Sequence, residues 1–397
     1  MLRRRKRKLI LFIVELAVLA VVIVLLIFYQ KLNRVNIQSV DGSKIAVNDI
    51  DEDTLIEFTG YETIAVFGLD NRETGNYDWG NSDVIMIINI NNDTNEIKMI
   101  SVYRDTFLNI AAAGEAANYQ KANAAFAYGG VSQGINMLNQ NLDLAIDNYL
   151  CVDFKAVAEA INILGGVDID IDSEYELNYL NDYILATNDI LGTNSPTLTS
   201  TGLQTLDGTQ AVAYTRIRYT SGGDYKRAYR QRVVLSEMMS KAKDANLSQL
   251  TELLDAILPD ISTDLSQKEL LSMAMTMLSY DISDSQGFPF ERTDMTLDPV
   301  GSIVVPCDLE TNVIELHSLL FGAEDYQPSP QVVAASEYIV ERTGMTVGDE
   351  YVDQFSYSDD AEYGDDVYVY GDSSDDEDED EYNADEGEFG GYEDTYE

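Results

Sequence analysis

The stretch 84–90, VIMIINI, is apolar on both alternations of a strand. Strand side chains point to opposite faces of a sheet in turn, so such a run is stable where both faces are covered. That requirement points to a mixed sheet flanked by helices, an α/β fold. A second apolar run, 63–69 (TIAVFGL), precedes it, and a third, 97–103, follows the turn cluster Asn91-Asn92-Asp93-Thr94-Asn95, which predicts a hairpin. Helical spacing appears over 131–142 and 154–164; Gly165-Gly166 ends the second of these, and 167–171 alternates apolar residues with Asp. Residues 207–214 read as helical, and a long helix is expected from Asp224 to about Ala245. One or two further helices and a strand at 302–306 complete a single domain, 61–330, with a C-terminal extension at 331–352.

The two ends differ from this body. Residues 1–8 are almost entirely basic and abut an apolar run, 9–29, interrupted only by Glu15. As a helix, 9–29 rises about 31 Å, roughly one hydrocarbon thickness. The run exceeds a signal-peptide core and lacks a small-residue cleavage pattern, so an uncleaved single-pass anchor is expected, with 1–8 cytoplasmic and the rest outside the cell. Residues 30–60 read as a linker or stalk. Residues 353–397 hold no basic side chain and are dominated by Asp and Glu; such a tail buries too little apolar surface to offset its ordering entropy, and disorder is expected.

With 70 acidic against 25 basic residues and a net charge of −45, nucleic acid is excluded as a partner. The lone histidine, His317, argues against a Ser-His-Asp hydrolase and most histidine metal sites. Cys151 and Cys307 are too few for a disulfide scaffold, and their spacing leaves pairing open.

Against this acidity, the segment 214–232, YTRIRYTSGGDYKRAYRQR, concentrates Arg216, Arg218, Arg227, Arg230 and Gln231. Guanidinium forks match phosphate oxygens two at a time, so a confined phosphate site is implied. If 215–219 is extended, Arg216 and Arg218 share one side and Ile217 faces the core; if helical, the two arginines point almost oppositely. Asp224, Arg227 and Gln231 share one helical face. Other polar groups stand at strand ends, where α/β sheets assemble sites: Asp70 and Arg72 after the first strand, Asp83 before the second, Arg104 and Asp105 after the third, then Lys121. Two carboxylates and several guanidiniums together suit Mg²⁺ (or Mn²⁺) bridging a pyrophosphate.

In this order the motifs Gly68-x-Asp70-x-Arg72, Ser82-Asp83, Arg104-Asp105, Lys121-x-Asn123 with Gly129-Gly130, Leu164–Val167, Leu206–Ala211, Arg216-Ile217-Arg218 and Asp224-x-x-Arg227-x-x-Arg230-Gln231 resemble the LytR-CpsA-Psr family of bacterial cell-wall proteins. The resemblance implies a membrane-anchored phosphotransferase of a Gram-positive bacterium. Such an enzyme moves a glycopolymer, teichoic acid or capsule, from an undecaprenyl-pyrophosphate carrier to peptidoglycan through a phosphodiester. It implies Asp70 and Asp83 as Mg²⁺ ligands, with Arg104 joining them in catalysis. Arg72, Arg104, Lys121, Arg216, Arg218, Arg227, Arg230 and Gln231 are implied as pyrophosphate contacts. A non-enzymatic regulator or binder of prenyl-pyrophosphate lipids is the alternative. Asn81 and Tyr103 depart from the family's usual Arg and Pro.

Overall fold

In the computed structural model, Asn91 Oδ1 accepts from the backbone N–H groups of Asp93 and Thr94 at 2.9 and 3.1 Å, and Asn95 takes φ 62°. The side chain mimics a backbone turn, and Asn tolerates the left-handed region. This turn closes the antiparallel pair Ser82–Asn91 and Glu96–Val102. The structure describes residues 36–349 apart from 41, 70–79, 219 and 221. The basic segment 1–8, the apolar run 9–29 and the acidic tail 353–397 lie outside the described residues, among which no helix is long and apolar enough to cross a membrane.

The hairpin belongs to a seven-stranded mixed sheet. Its spatial order is Asn36–Ile37, Ile261–Thr263, Asn148–Asp153, Tyr61–Leu69, Ser82–Asn91, Glu96–Val102 and Asp281–Phe288. The strand Tyr61–Leu69 runs antiparallel to Ser82–Asn91 and parallel to Asn148–Asp153. Both faces are covered, as the doubly apolar run 84–90 requires. On one face Ala65, Phe67, Ile85, Ile87 and Ile100 pack beneath the helices Ala124–Leu142, Leu309–Phe321 and Pro330–Thr343. On the other, Ile64, Val66, Met86, Ile97 and Met99 meet Leu235 and Met239 of the helix Gly223–Asp244.

A second cluster joins the helices Phe154–Leu164, Glu174–Leu191 and Gly208–Arg216 to the antiparallel pair Val167–Ile171 and Gly202–Leu206. Two of the motifs prove to be packing devices here. Gly166 sits at φ +93°, where a Cβ would lie 2.8 Å from Leu206 O, and a Cβ on Gly208 would lie 1.9 Å from Ala158 O. Asp207 and Gln210 form a reciprocal capping box that starts the helix Gly208–Arg216.

Two segments read as peripheral are packed into the domain where they are described. In the stalk stretch 30–60, Asn36–Ile37 adds a strand to the sheet. Asn48 Nδ2 reaches Asp143 Oδ1 at 2.6 Å, and Phe58 stacks on Phe321 at 4.4 Å between centroids. In the extension 331–352, Val332 and Ile339 are fully buried. Cys151 and Cys307 are both buried and are not joined in a disulfide.

Candidate functional site

Asp83 owes its position to a slip in strand register. Gly68 pairs with Val84 and Leu69 with Ser82, which leaves Asp83 without a partner across the ladder. Bulges of this kind re-aim a side chain at the rim of a sheet. Gly68 makes the close approach feasible, since a Cβ there would lie 2.8 Å from Val84 Cβ. The Gly of the first motif thus shapes the backbone that presents Asp83.

Three guanidiniums converge on that carboxylate. Arg104 Nη1 donates to Asp83 Oδ1 at 2.8 Å, Arg227 Nη2 lies 3.3 Å from the same oxygen, and Arg218 Nη2 lies 3.7 Å from Oδ2. Arg227 Nη2 also donates to the Asp83 carbonyl at 2.8 Å. Asp224 bridges the arginines from the helix Gly223–Asp244: its Oδ1 accepts from Arg227 Nη1 at 3.0 Å, and its Oδ2 lies 3.5 Å from Arg104 Nε. Asp105 faces Lys121 Nζ at 3.5 Å on the flank of Arg104. Asp83, Ser101, Arg104, Asp224, Arg227 and Gln231 line one small cavity. Ser101 is 2% exposed, and its hydroxyl has no hydrogen-bond partner among the described residues.

The electrostatics favour an anion. Burial alone would raise the Asp83 carboxyl, but the charges of Arg227, Arg104 and Arg218 together hold it below its ordinary value. Burial, and then the neighbouring charges of Arg227 and Arg104, lower the pKa of Arg218. That crowding of like charge leaves positive potential unspent at Arg218, whose side chain is 43% exposed. A wider cavity, about 290 Å³, opens at the other end of the strand Tyr61–Leu69 among Glu62, Asp147 and Glu269. There burial and the charges of Glu269 and Asp147 raise the Glu62 carboxyl, a setting that repels phosphate.

The structure gathers Asp83, Arg104, Arg218, Arg227 and Gln231, places Lys121 at the edge through Asp105, and leaves two arginines elsewhere. Arg216 closes the helix Gly208–Arg216 and Ile217 leaves it at φ −59°, ψ 124°, so the segment is neither extended nor helical throughout: Arg216 Nη1 donates to Thr187 Oγ1 at 3.2 Å and its guanidinium lies 5.7 Å from the Phe154 ring centroid. Ile217, just past the helix end, is fully buried. The reading of Arg230 as a phosphate contact is also corrected. It is 0% exposed; Nε and Nη2 donate to Glu176 Oε1 at 2.9 and 2.6 Å, Nη1 to Ile217 O at 3.2 Å, and Nη2 to Thr220 Oγ1 at 2.9 Å. Its donors are consumed inside the protein, on the residues that flank Arg218. Asp70 and Arg72 lie outside the described residues.

Sequence reasoning missed Asp224 as a shared acceptor, although its i, i+3 spacing to Arg227 was a usable signal. It assigned no role to Ser101, at the end of the third strand, or to Glu176, whose spacing from Ser173 signals a helix start rather than an arginine partner.

A teichoic acid transferase TagU of Enterococcus faecalis is 26% identical over 215 residues, 54% of this chain and 64% of the relative. TagU of Bacillus cereus is 31% identical over 216 residues, 53% of this chain and 64% of the relative. The match therefore spans less than two thirds of these relatives' length. Among solved structures, TagT bound to LIIa-WTA superposes with a TM-score of 0.54 at 22% identity, covering 72% of this chain and 99% of that one. Bacillus subtilis TagT superposes at 0.52 and 22% identity, covering 72% and 100%. These likenesses establish a shared mixed α/β fold. The profile of the LytR_cpsA_psr family matches residues 24–304, and the chain belongs to that family.

Proposed function

We propose that this protein transfers a glycopolymer from an undecaprenyl-pyrophosphate carrier to peptidoglycan, forming a phosphodiester. The observation that carries the reading is one carboxylate, Asp83, ringed by Arg104, Arg218 and Arg227 at 2.8 to 3.7 Å. In phosphoryl transfer the protein mainly positions groups and neutralises charge, which is what preorganised guanidiniums do. The relatives named teichoic acid transferases support the polymer and the acceptor.

Mg²⁺ is part of this reading, although Asp83 is the one expected carboxylate ligand among the described residues. It is commonly held by one or two carboxylates plus phosphate oxygens and waters. Asp83 supplies one carboxylate, and Asp70 is the second ligand in this reading. When bound, the ion would neutralise charge on the pyrophosphate. Arg104, Arg218 and Arg227 would orient the phosphate oxygens, and Gln231 would donate a further hydrogen bond. Residues 9–29 would anchor the chain with 1–8 in the cytoplasm, placing the site beside a lipid carrier.

The test uses the full-length chain, a synthetic prenyl-pyrophosphate glycan, peptidoglycan oligomers and Mg²⁺, with the product followed by mass. A phosphodiester-linked adduct that disappears with EDTA and in Arg104→Ala is the expected result. Tight lipid binding without adduct would instead assign a regulator or binder, and free phosphoglycan would assign a hydrolase.

A further inference from the structure

Tyr103, which lines the site cavity, stacks with Tyr225 and Arg292, which do not. The Arg292 guanidinium lies 4.3 Å from the Tyr225 ring centroid and 5.0 Å from that of Tyr103. The two rings meet edge to face at 4.7 Å. Each stacked group is fixed from behind. Tyr225 donates its hydroxyl to Asp294. Arg292 Nη1 donates to Phe290 O at 2.9 Å. Tyr103 N donates to Phe288 O at 3.0 Å, and the Tyr103 hydroxyl lies over Gly287, where a Cβ would stand only 2.0 Å away.

The placement matters because Tyr103 immediately precedes Arg104 and Tyr225 immediately follows Asp224. These neighbours come from two different elements, the end of the strand Glu96–Val102 and the first turn of the helix Gly223–Asp244. They are themselves in contact, Arg104 Nε lying 3.5 Å from Asp224 Oδ2. The stack therefore ties together the two backbones whose separation sets how Arg104 faces Arg227 across Asp224. We infer that Tyr103, Tyr225 and Arg292 are positioning residues that hold Arg104 and Arg227 at the spacing a pyrophosphate group requires. The ligand class in this inference rests on the function proposed above. A cation packed against two mutually touching rings suits the task, since ring–ring and ring–cation attractions are directional and survive partial exposure.

The experiment measures binding of inorganic pyrophosphate to the full-length chain in detergent, with hydrogen exchange over 102–106 and 223–231. Tyr225→Leu removes the ring but keeps every charge, and it is expected to weaken pyrophosphate about fivefold. Tyr225→Phe, which keeps the ring, should recover most of that loss. Arg292→Gln should act in the same direction, and it serves if Tyr225→Leu does not fold. Faster exchange at both segments should accompany the weaker binding. Unchanged affinity in Tyr225→Leu and Arg292→Gln overturns the inference even if both melt earlier. If wild type binds no pyrophosphate, the functional reading fails separately. Exchange then decides the positioning role: faster exchange at both segments upholds it, and unchanged exchange overturns it.

Discussion

Arg230 and Glu176 share a buried ion pair in which two guanidinium nitrogens end on one carboxylate oxygen, at 2.9 and 2.6 Å. The same guanidinium holds Ile217 O and Thr220 Oγ1, on either side of Arg218. Removing one partner of such a pair leaves an uncompensated charge in a dry interior. Glu176→Ala should therefore cost about 3–5 kcal/mol, read as a lower urea midpoint with an unchanged slope. Replacing both partners together with Leu and Met should cost less than Glu176→Ala alone.

Arg104 and Arg218 should separate stability from function. Arg218 is the more exposed and stands farthest from Asp83, at 3.7 Å. Arg218→Ala should leave thermal stability within about 0.5 kcal/mol while lowering transfer about 10²-fold, the typical cost of losing one preorganised donor. Arg104→Ala removes the 2.8 Å bond to Asp83 as well, so both the melting temperature and turnover should fall.

His317 supplies a pH dependence. Its Nε2 lies 2.9 Å from Leu142 O and its ring stacks on Tyr326 at 3.6 Å. Burial drives its pKa down from 6.5 to about 4, against opposing contributions from Leu142 O and Asp143. The unfolded chain therefore takes up this proton first. The contribution to stability is complete above pH 6.5 and is lost as pH falls from 6.5 through 4. The change amounts to about 3 kcal/mol at most. His317→Gln should flatten that limb of the stability curve in equilibrium unfolding between these values.

Gly208 tests the packing role of its motif. With Ala158 O only 1.9 Å from where a Cβ would stand, Gly208→Ala must push the helix Gly208–Arg216 off the helix Phe154–Leu164. A loss of about 1–3 kcal/mol is expected from calorimetry, as for other overpacked sites.

Much of the architecture was legible in the chain. The doubly apolar run 84–90 demanded a covered sheet, the Asn-rich turn demanded a hairpin, and the Gly165-Gly166 break ended a helix where the structure ends one. These signals are local, each set by a side chain acting on its own backbone or by strand and helix periodicity. The ordered motifs named Asp83, Arg104, Arg218, Arg227 and Gln231, which the structure gathers, but also Arg216 and Arg230, which it places elsewhere.

What the sequence could not determine was which arginine faces inward. Arg227 and Arg230 are three positions apart on one helix, yet one meets Asp83 and the other Glu176. That choice depends on carboxylates brought in from distant strands and helices, on the unpaired position that re-aims Asp83, and on how completely each guanidinium is desolvated. Spacing placed the arginines on a helix; only the packed surroundings, which fix each one's partner and its access to water, decided which lines the cavity beside Asp83 and which is buried on Glu176.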